Sequence, residues 1–411
     1  DNGLASLERM VGLEELTLYR TKVSNAGLDR LKHLRQLRAL DVRYSRVTPA
    51  GVKELTASLP GIAVLFDEAS TRTATRSADV STVQGKGEEK IAAWLRSIGG
   101  QVQMRDGRAT AVALDSTSIT DREVAVLKEL PQLETLSLRD TEISNLGAAH
   151  LSTIRTLRRL DLSHTLLDDS ALEKLAPLTG LQALDLAHTL VEGPGLKTLS
   201  GLTELRDISL SNTPLTDEGL TYLAALTGLE RLSLAYTDVS DDGIEQLAAL
   251  ARLSYIDLSG ADVGDGGLVA LAKLTRLADV RLNFGRFGDG GLKALAALPA
   301  LKRLALSHTK ITNEGMTAIA QLPTLEALDL NYTTLGNSGI AKLASMTALT
   351  DLNLDSVELT DAGVASLMGL HRLRQLDLYH TLVTDKGFEQ LKAALPQCDI
   401  HYDRDSARRR S

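Results

Sequence analysis

The motif L-x-x-L-x-L-x-x-T-x-ϕ-x-D-x-G-ϕ-x-x-L, with ϕ apolar, recurs every 24 residues from Val112 to the C-terminal end of the chain without one insertion. Its fourth position falls on Val112, Leu136, Leu160, Leu184, Ile208, Leu232, Ile256, Val280, Leu304, Leu328, Leu352 and Leu376. A fixed period of this length specifies a solenoid, because each unit can bury its apolar side only against its neighbours. Solenoids expose long continuous surfaces, so binding rather than chemistry is the first expectation.

Within each unit the apolar period changes from 2 to about 3.6 residues. Leu205-Arg-Asp-Ile208-Ser-Leu210 alternates and predicts a short strand with Ile208 and Leu210 inward. Thr216-Asp217-Glu218-Gly219 then supplies capping groups before Leu220, Leu223 and Leu226, which predict an amphipathic helix of two to three turns. Stacking places the strands in one parallel sheet, about 4.8 Å apart, with the helices on the other side. Helices are wider than strands, so the stack curves with the sheet inside. The expected fold class is α/β: a right-handed solenoid, horseshoe or arc, with a concave parallel sheet and convex helices.

The ends divide the chain. Leu391-Lys-Ala-Ala-Leu395-Pro396 leads into Ile400-His-Tyr-Asp403, a proline stop and a closing strand. Leu55-Thr-Ala-Ser-Leu59-Pro60 followed by Val64-Leu-Phe-Asp67 repeats that design early. Residues 1–67 therefore read as the last coils and cap of a first array, with strands near Leu16 and Leu40. Residues 68–88, rich in Ser, Thr, Ala and Gly, read as a flexible linker. Residues 89–403 read as a complete array whose N-terminal cap is a helix over Glu89–Leu95 carrying Trp94, a Gly99-Gly100 break and a strand over Gln101–Met104. Residues 404–411 form a basic tail. The step from Leu40 to Val112 is three whole periods, so one continuous solenoid with an irregular middle stays open as the alternative. Two and a half coils are few for independent stability, so residues 1–67 are expected to be loose or docked on the second array.

Composition narrows the partners. Aromatics are 3% of the chain, so Leu, Ile, Val and Ala must build the core. A net charge of −8 speaks against a nucleic-acid surface, which needs clustered cations to neutralise phosphates. Cys398 is the only cysteine; no intrachain disulfide can form, which points to a reducing, cytoplasmic compartment. No apolar run approaches the length of a membrane span. The chain opens in mid-repeat, with Gly3-Leu4 and Leu7 standing where Gly27-Leu28 and Leu31 stand one period later.

Leu328-Asp-Leu330-Asn-Tyr-Thr333, Leu232-Ser-Leu234-Ala-Tyr-Thr237 and Ile311-Thr-Asn-Glu-Gly315 resemble the ribonuclease-inhibitor-like leucine-rich repeat proteins, in their bacterial short-repeat form. The resemblance implies a horseshoe or arc that serves as a protein-interaction scaffold. Many such repeats place Asn after the strand, where its amide bonds the backbone of neighbouring coils. Here Thr fills the place, and its hydroxyl is expected to satisfy turn backbone in the same way. Ala261, Gly285 and Val357 interrupt the Thr column and mark irregular coils near 256 and 280.

The strand residues that point away from the core are the candidate contact surface. One column is acidic, with Asp161, Asp185, Asp257, Asp329 and Asp377. Three places on stands a column of His164, His188, Tyr236, Phe284, His308, Tyr332 and His380. Tyr, Trp and Arg dominate interface hot spots because they bury much area and keep a polar handle. The expected partner-binding residues are Tyr236, Tyr255, Asp257, Arg281, Phe284, Asp329 and Tyr332. The competing explanation is that flat side chains pack well across the turns. The acidic column predicts a protein or peptide partner carrying basic groups.

Chemistry fits less well. Asp161-Leu-Ser-His164 and Asp185-Leu-Ala-His188 lie in adjacent coils, but a metal needs converging ligands and ladders point them in parallel. Ser163 and Ser307 adjoin histidines in sequence, yet strand neighbours face opposite ways. The Asp-Gly-Gly runs at 265–267 and 289–291 lack the lysine of a phosphate loop. The expectation is therefore a non-enzymatic scaffold with no cofactor, metal, nucleic acid or membrane partner. The alternative is a sensor or targeting module of a larger enzyme whose catalytic domain lies upstream of Asp1.

Overall fold

Strands of three residues recur along the repeat and pair in parallel with the residue 24 places on: Leu136 with Leu160, Leu232 with Ile256, Leu352 with Leu376. The computed structural model describes residues 87–405 without a break. In the N-terminal segment it describes 10–18, 25–42 and 49–66, with Leu4, Leu7, Thr21, Val23, Ser45 and Val47. A 14-stranded sheet runs from Gln101–Arg105 to Asp399–His401 in sequence order. All its neighbours are parallel except the first pair, Gln101–Arg105 with Arg108–Ala113, which forms a hairpin. A separate three-stranded parallel sheet comprises Glu15–Thr17, Ala39–Asp41 and Ala63–Leu65. Each sheet has its own apolar core, and the larger holds the inward residues of every coil from Ile91 to Cys398.

The unit centred on Leu232 shows how 24 residues close a coil. Leu229, Leu232, Leu234, Val239, Ile244 and Leu247 are all buried, so strand, turn and helix point one apolar edge at the neighbouring coils. The helices are shorter than the apolar spacing predicts: Asp217–Leu223 and Asp265–Leu271 have 7 residues, and Met316–Ile319 has 4. The last apolar position of the helical pattern belongs to a tight turn instead. Leu226 N–H donates to the Leu223 carbonyl three residues back at 2.9 Å. A longer helix would leave no residues for the return to the strand.

The Asp of the repeat motif links one coil to the next. Asp217 Oδ1 accepts the Ser240 N–H at 2.7 Å and Oδ2 accepts the Ser240 hydroxyl at 2.5 Å. Asp121, Asp241, Asp265, Asp289 and Asp361 do the same for the N–H 23 residues on, and Asn145, Asn313 and Asn337 substitute a carboxamide oxygen. These acceptors satisfy a donor at the start of the next helix, where no intrahelical partner exists. The Gly two places after most of these Asp residues follows from this. A Cβ on Gly243 would strike the Asp217 carboxylate, and one on Gly315 would strike Asp289. In the last described coil Asp385 accepts Tyr402 Oη at 3.3 Å and Arg404 Nε at 2.9 Å.

The Thr column works within a coil rather than between coils. Thr237 Oγ1 donates to the Leu234 carbonyl at 2.7 Å, and Thr165, Thr189, Thr213, Thr309, Thr333 and Thr381 repeat the bond. The hydroxyl at this place finds its acceptor three residues back in its own turn. Where Thr is missing at Gly285, the ring of Phe287 lies against the space a side chain would need, and Phe287 is fully buried. The irregular coil is thus an exchange of one Thr for one larger core residue.

Two boundaries shift from the sequence reading. The helix near 90 spans Gly87–Ser97, so Gly87 and Glu88 belong to it and not to a linker. Glu88 is held by the hairpin, accepting the Ala109 N–H at 2.8 Å and Arg108 Nη1 at 2.7 Å. At the other end Arg404 is tied to Asp385 and is not part of a free tail. Residues 68–86 and 406–411 lie outside the described residues.

The Asp–Gly arrangement makes a testable demand. Asp217→Ala removes both bonds to part-buried Ser240 and should cost about 1–2 kcal/mol. Gly243→Ala should destabilise through collision with the same carboxylate. Urea titrations of the double variant should show a loss smaller than the sum of the singles, since removing the carboxylate makes room for the methyl. Strict additivity would separate the two positions.

Candidate partner-binding surface

Strand alternation leaves the first and third residues of every strand on the face opposite the helices. Two open depressions lie on that face. One, of about 470 Å³, is lined by Arg159, Asp161, Asp185, Asp207, Arg231 and Tyr255, among others. The second, of about 500 Å³, carries five carboxylates, Asp279, Asp329, Asp351, Asp377 and Asp399, against the guanidiniums of Arg281 and Arg303. The C-terminal half of the strand face is therefore an acidic basin. Arg281 is drawn toward Asp279, with 3.7 Å between Nε and Oδ1.

The acidic column has a structural duty of its own. Asp161, Asp185, Asp257, Asp329 and Asp377 each accept the backbone N–H two residues on, at 2.8–3.1 Å. Asn353 fills the same place and bonds the Asp355 N–H at 3.0 Å. The carboxylates thus turn the chain out of the strand, and Asp329 and Asp377 also line the basin. Burial pushes the Asp185 carboxyl above its ordinary range, against the Ala187 N–H and with help from the Asp161 charge. Burial does the same to Asp329, where the Asn331 N–H opposes it and Asp377 and Asp355 add to it.

Tyr255, read from the sequence as a contact residue, is only 9% exposed. The Arg231 guanidinium lies 3.9 Å from its ring centroid and covers it, while Arg281 stands 5.4 Å away. Arg231 is held in turn by Asp207, with Nε 3.2 Å from Oδ1. Tyr255 is thus a platform for two arginines, and Arg231 is the residue the sequence reading missed. Its signal was its position, one period before Tyr255 in the same column.

The aromatic column sits elsewhere than predicted. It lies in the turn after the strand, at a place where the backbone is left-handed in coil after coil. His164, His188, Tyr236, Phe284, His308, Tyr332 and His380 have φ of +52° to +60°, with Asp140, Asn212 and Ser356 at the same place. Such φ values are uncommon outside Gly, Asn and Asp. Gly260, with φ +70°, occupies this place in its coil. The rings stack between coils: His164 on His188 at 4.0 Å, Phe284 on His308 at 4.6 Å, His308 on Tyr332 at 4.4 Å. Tyr236 reaches toward Phe284 across Gly260, with 6.2 Å between centroids. Packing across the turns accounts for the ladder, yet Tyr236, Phe284 and Tyr332 remain 48–52% exposed. The predicted set therefore divides in two: Tyr255, Asp257, Arg281 and Asp329 on the strand face, and Tyr236, Phe284 and Tyr332 on its turn edge.

Among the described residues no three His, Cys, Asp or Glu side chains converge to hold a metal ion. No helix among them is long and apolar enough to cross a membrane. Cys398 is a buried free thiol, and burial raises its pKa above the ordinary value. That works against nucleophilic use.

A leucine-rich repeat family model matches residues 153–176, 253–272, 298–320 and 321–344. The chain is similar to the crystal structure of an internalin, InlF, from Listeria monocytogenes. The two share 23% identity over 81% of this chain and 92% of that one, with a TM-score of 0.56. A leucine-rich repeat protein of Leptospira interrogans is 17% identical over 97% of this chain and 98% of that one, with a TM-score of 0.47. No curated protein sequence matches the chain significantly. The fold is a leucine-rich repeat solenoid.

The buried carboxylates predict a pH-dependent effect. A carboxyl raised by folding opposes the folded state once it ionises, and the penalty is absent below the unfolded pKa. Asp185→Asn keeps the acceptor, as Asn353 shows, and should raise the urea midpoint at neutral pH. The gain should shrink as pH falls through the raised carboxyl range and vanish below the ordinary one. A gain that persists in acid would assign the effect to something other than the charge.

Proposed function

We propose that this solenoid is a non-enzymatic scaffold, of the ribonuclease-inhibitor-like short-repeat type, that binds a protein or peptide with basic groups on its strand face. The observation that carries the reading is the acidic basin, where five carboxylates outnumber two guanidiniums in one open depression. Asp329 uses one oxygen on the backbone and leaves the other toward a ligand, while the second oxygen of Asp377 lies 3.3 Å from His401 Nδ1. Asp257 belongs to the same column and receives the Tyr255 hydroxyl at 3.5 Å. Opposed charges at this density favour encounter and orientation of a cationic partner. The turn edge, with Tyr236, Phe284 and Tyr332 half exposed, adds apolar area beside the charge.

The test uses the full chain against a library of short peptides of graded charge. Retained peptides should be enriched in Lys and Arg, and affinity should fall several-fold between about 50 and 300 mM salt as charges are screened. The Asp329→Asn, Asp377→Asn variant keeps both backbone acceptors and should weaken binding without loss of fold. Retention of neutral peptides, or affinity indifferent to salt, would sink the reading.

A further inference from the structure

The edge ladder is broken once between Tyr236 and Tyr332. The coil of Ile256 has Gly260 where its neighbours carry a ring, and Ala261 where they carry Thr237 and Gly285. The gap opens a cavity of about 420 Å³ bounded by Tyr236, Phe284, Asp238, Asp262 and Arg286. Tyr236 and Phe284 are inclined at 44°, so their rings form a wedge and not a closed stack. The ring of Tyr236 leans into the space that a side chain at 260 would fill, 2.5 Å from where its Cβ would stand. Asp262 is paired with Arg286 at 2.9 Å, whereas the exposed carboxylate of Asp238 has no partner among the described residues. The notch thus has two aromatic walls, a backbone floor and one surplus negative charge.

We propose that this notch is a receptor for an arginine side chain of the partner. A guanidinium stacks on aromatic rings through its plane and bonds a carboxylate with its edge, and the notch presents both. Asp238 is the carboxylate it meets, and Tyr236 and Phe284 are the rings. The protein's own Arg286 holds Asp262 and sets the net charge at one unit negative. The inference rests on the reading of a basic partner and adds the residue that it inserts.

Saturation-transfer NMR on the full chain tests this with three probes: the N-acetyl amides of arginine, lysine and citrulline. The arginine probe should show transfer, lysine less, and citrulline, which has the shape without the charge, none. Asp238→Asn should abolish the arginine signal. Gly260→His should abolish it as well, because a ring at 260 would complete the ladder and fill the wedge. His is accommodated at this backbone position in four other coils, at φ +53° to +60°, so the fold should hold once the exposed Tyr236 ring swings aside to admit the Cβ. Arg286→Ala should strengthen the signal by freeing Asp262. Equal transfer to citrulline, retention by Gly260→His or loss in Arg286→Ala would each overturn the proposal, the last by showing that the site needs Arg286 and not a surplus of negative charge. The Asp329→Asn, Asp377→Asn variant should keep the arginine signal, so failure of the strand-face reading and failure of this one are told apart.

Discussion

The bond from each helix-start carboxylate to the N–H 23 residues ahead is the constraint on which the stack depends. The sheet joins coils on the strand side and the leucine core fills the middle, but neither holds the helices in register. Asp217 to Ser240, and its equivalents along the array, supply that third line of contact. All three lines require one offset, 24 residues in the strands. An insertion in any coil would break all of them together, which explains why the period never slips. The Gly two places after most of these Asp residues is the steric consequence, since the carboxylate occupies the volume of a side chain.

The candidate binding surface is assembled from residues that first satisfy the backbone. Asp329 and Asp377 cap turns and face the basin with what remains. The edge rings occupy a left-handed turn position and stack on one another, and only then offer an outer edge. Repetition of a structural solution thus creates a charged column and an aromatic one side by side. The repetition fails at two places. Gly260 interrupts the rings, and Asp207, Arg231 and Tyr255 replace a uniform column with a charge-and-ring assembly.

Much of this was legible. Alternation around Ile208 and Ile256 placed the strands, and the Leu spacing placed the helices, because both follow from burying one edge per coil. The columns of Asp and of rings could be written down by counting in 24s. Their roles could not. The motif shows an Asp and a Gly two residues apart, yet their meaning lies in a backbone N–H of the following coil. The Thr hydroxyl looked able to bridge coils, and in this column it bonds a carbonyl of its own coil. The left-handed turn left a trace in Asp140, Asn212 and Gly260, residues that tolerate positive φ, standing in the same column as the rings.

By itself the sequence determined that the chain is a solenoid, where each coil begins and which aliphatic residues form the core, because period and apolar pattern are properties of the chain alone. The tertiary structure decided which exposed residues remain available. Tyr255 and Tyr236 are both aromatic and lie near the same sheet, yet Arg231 from the preceding coil covers one, and Gly260 in the following coil leaves the other beside an open notch. Exposure depends on what the neighbouring coils place 24 residues away, and only stacking brings those residues together.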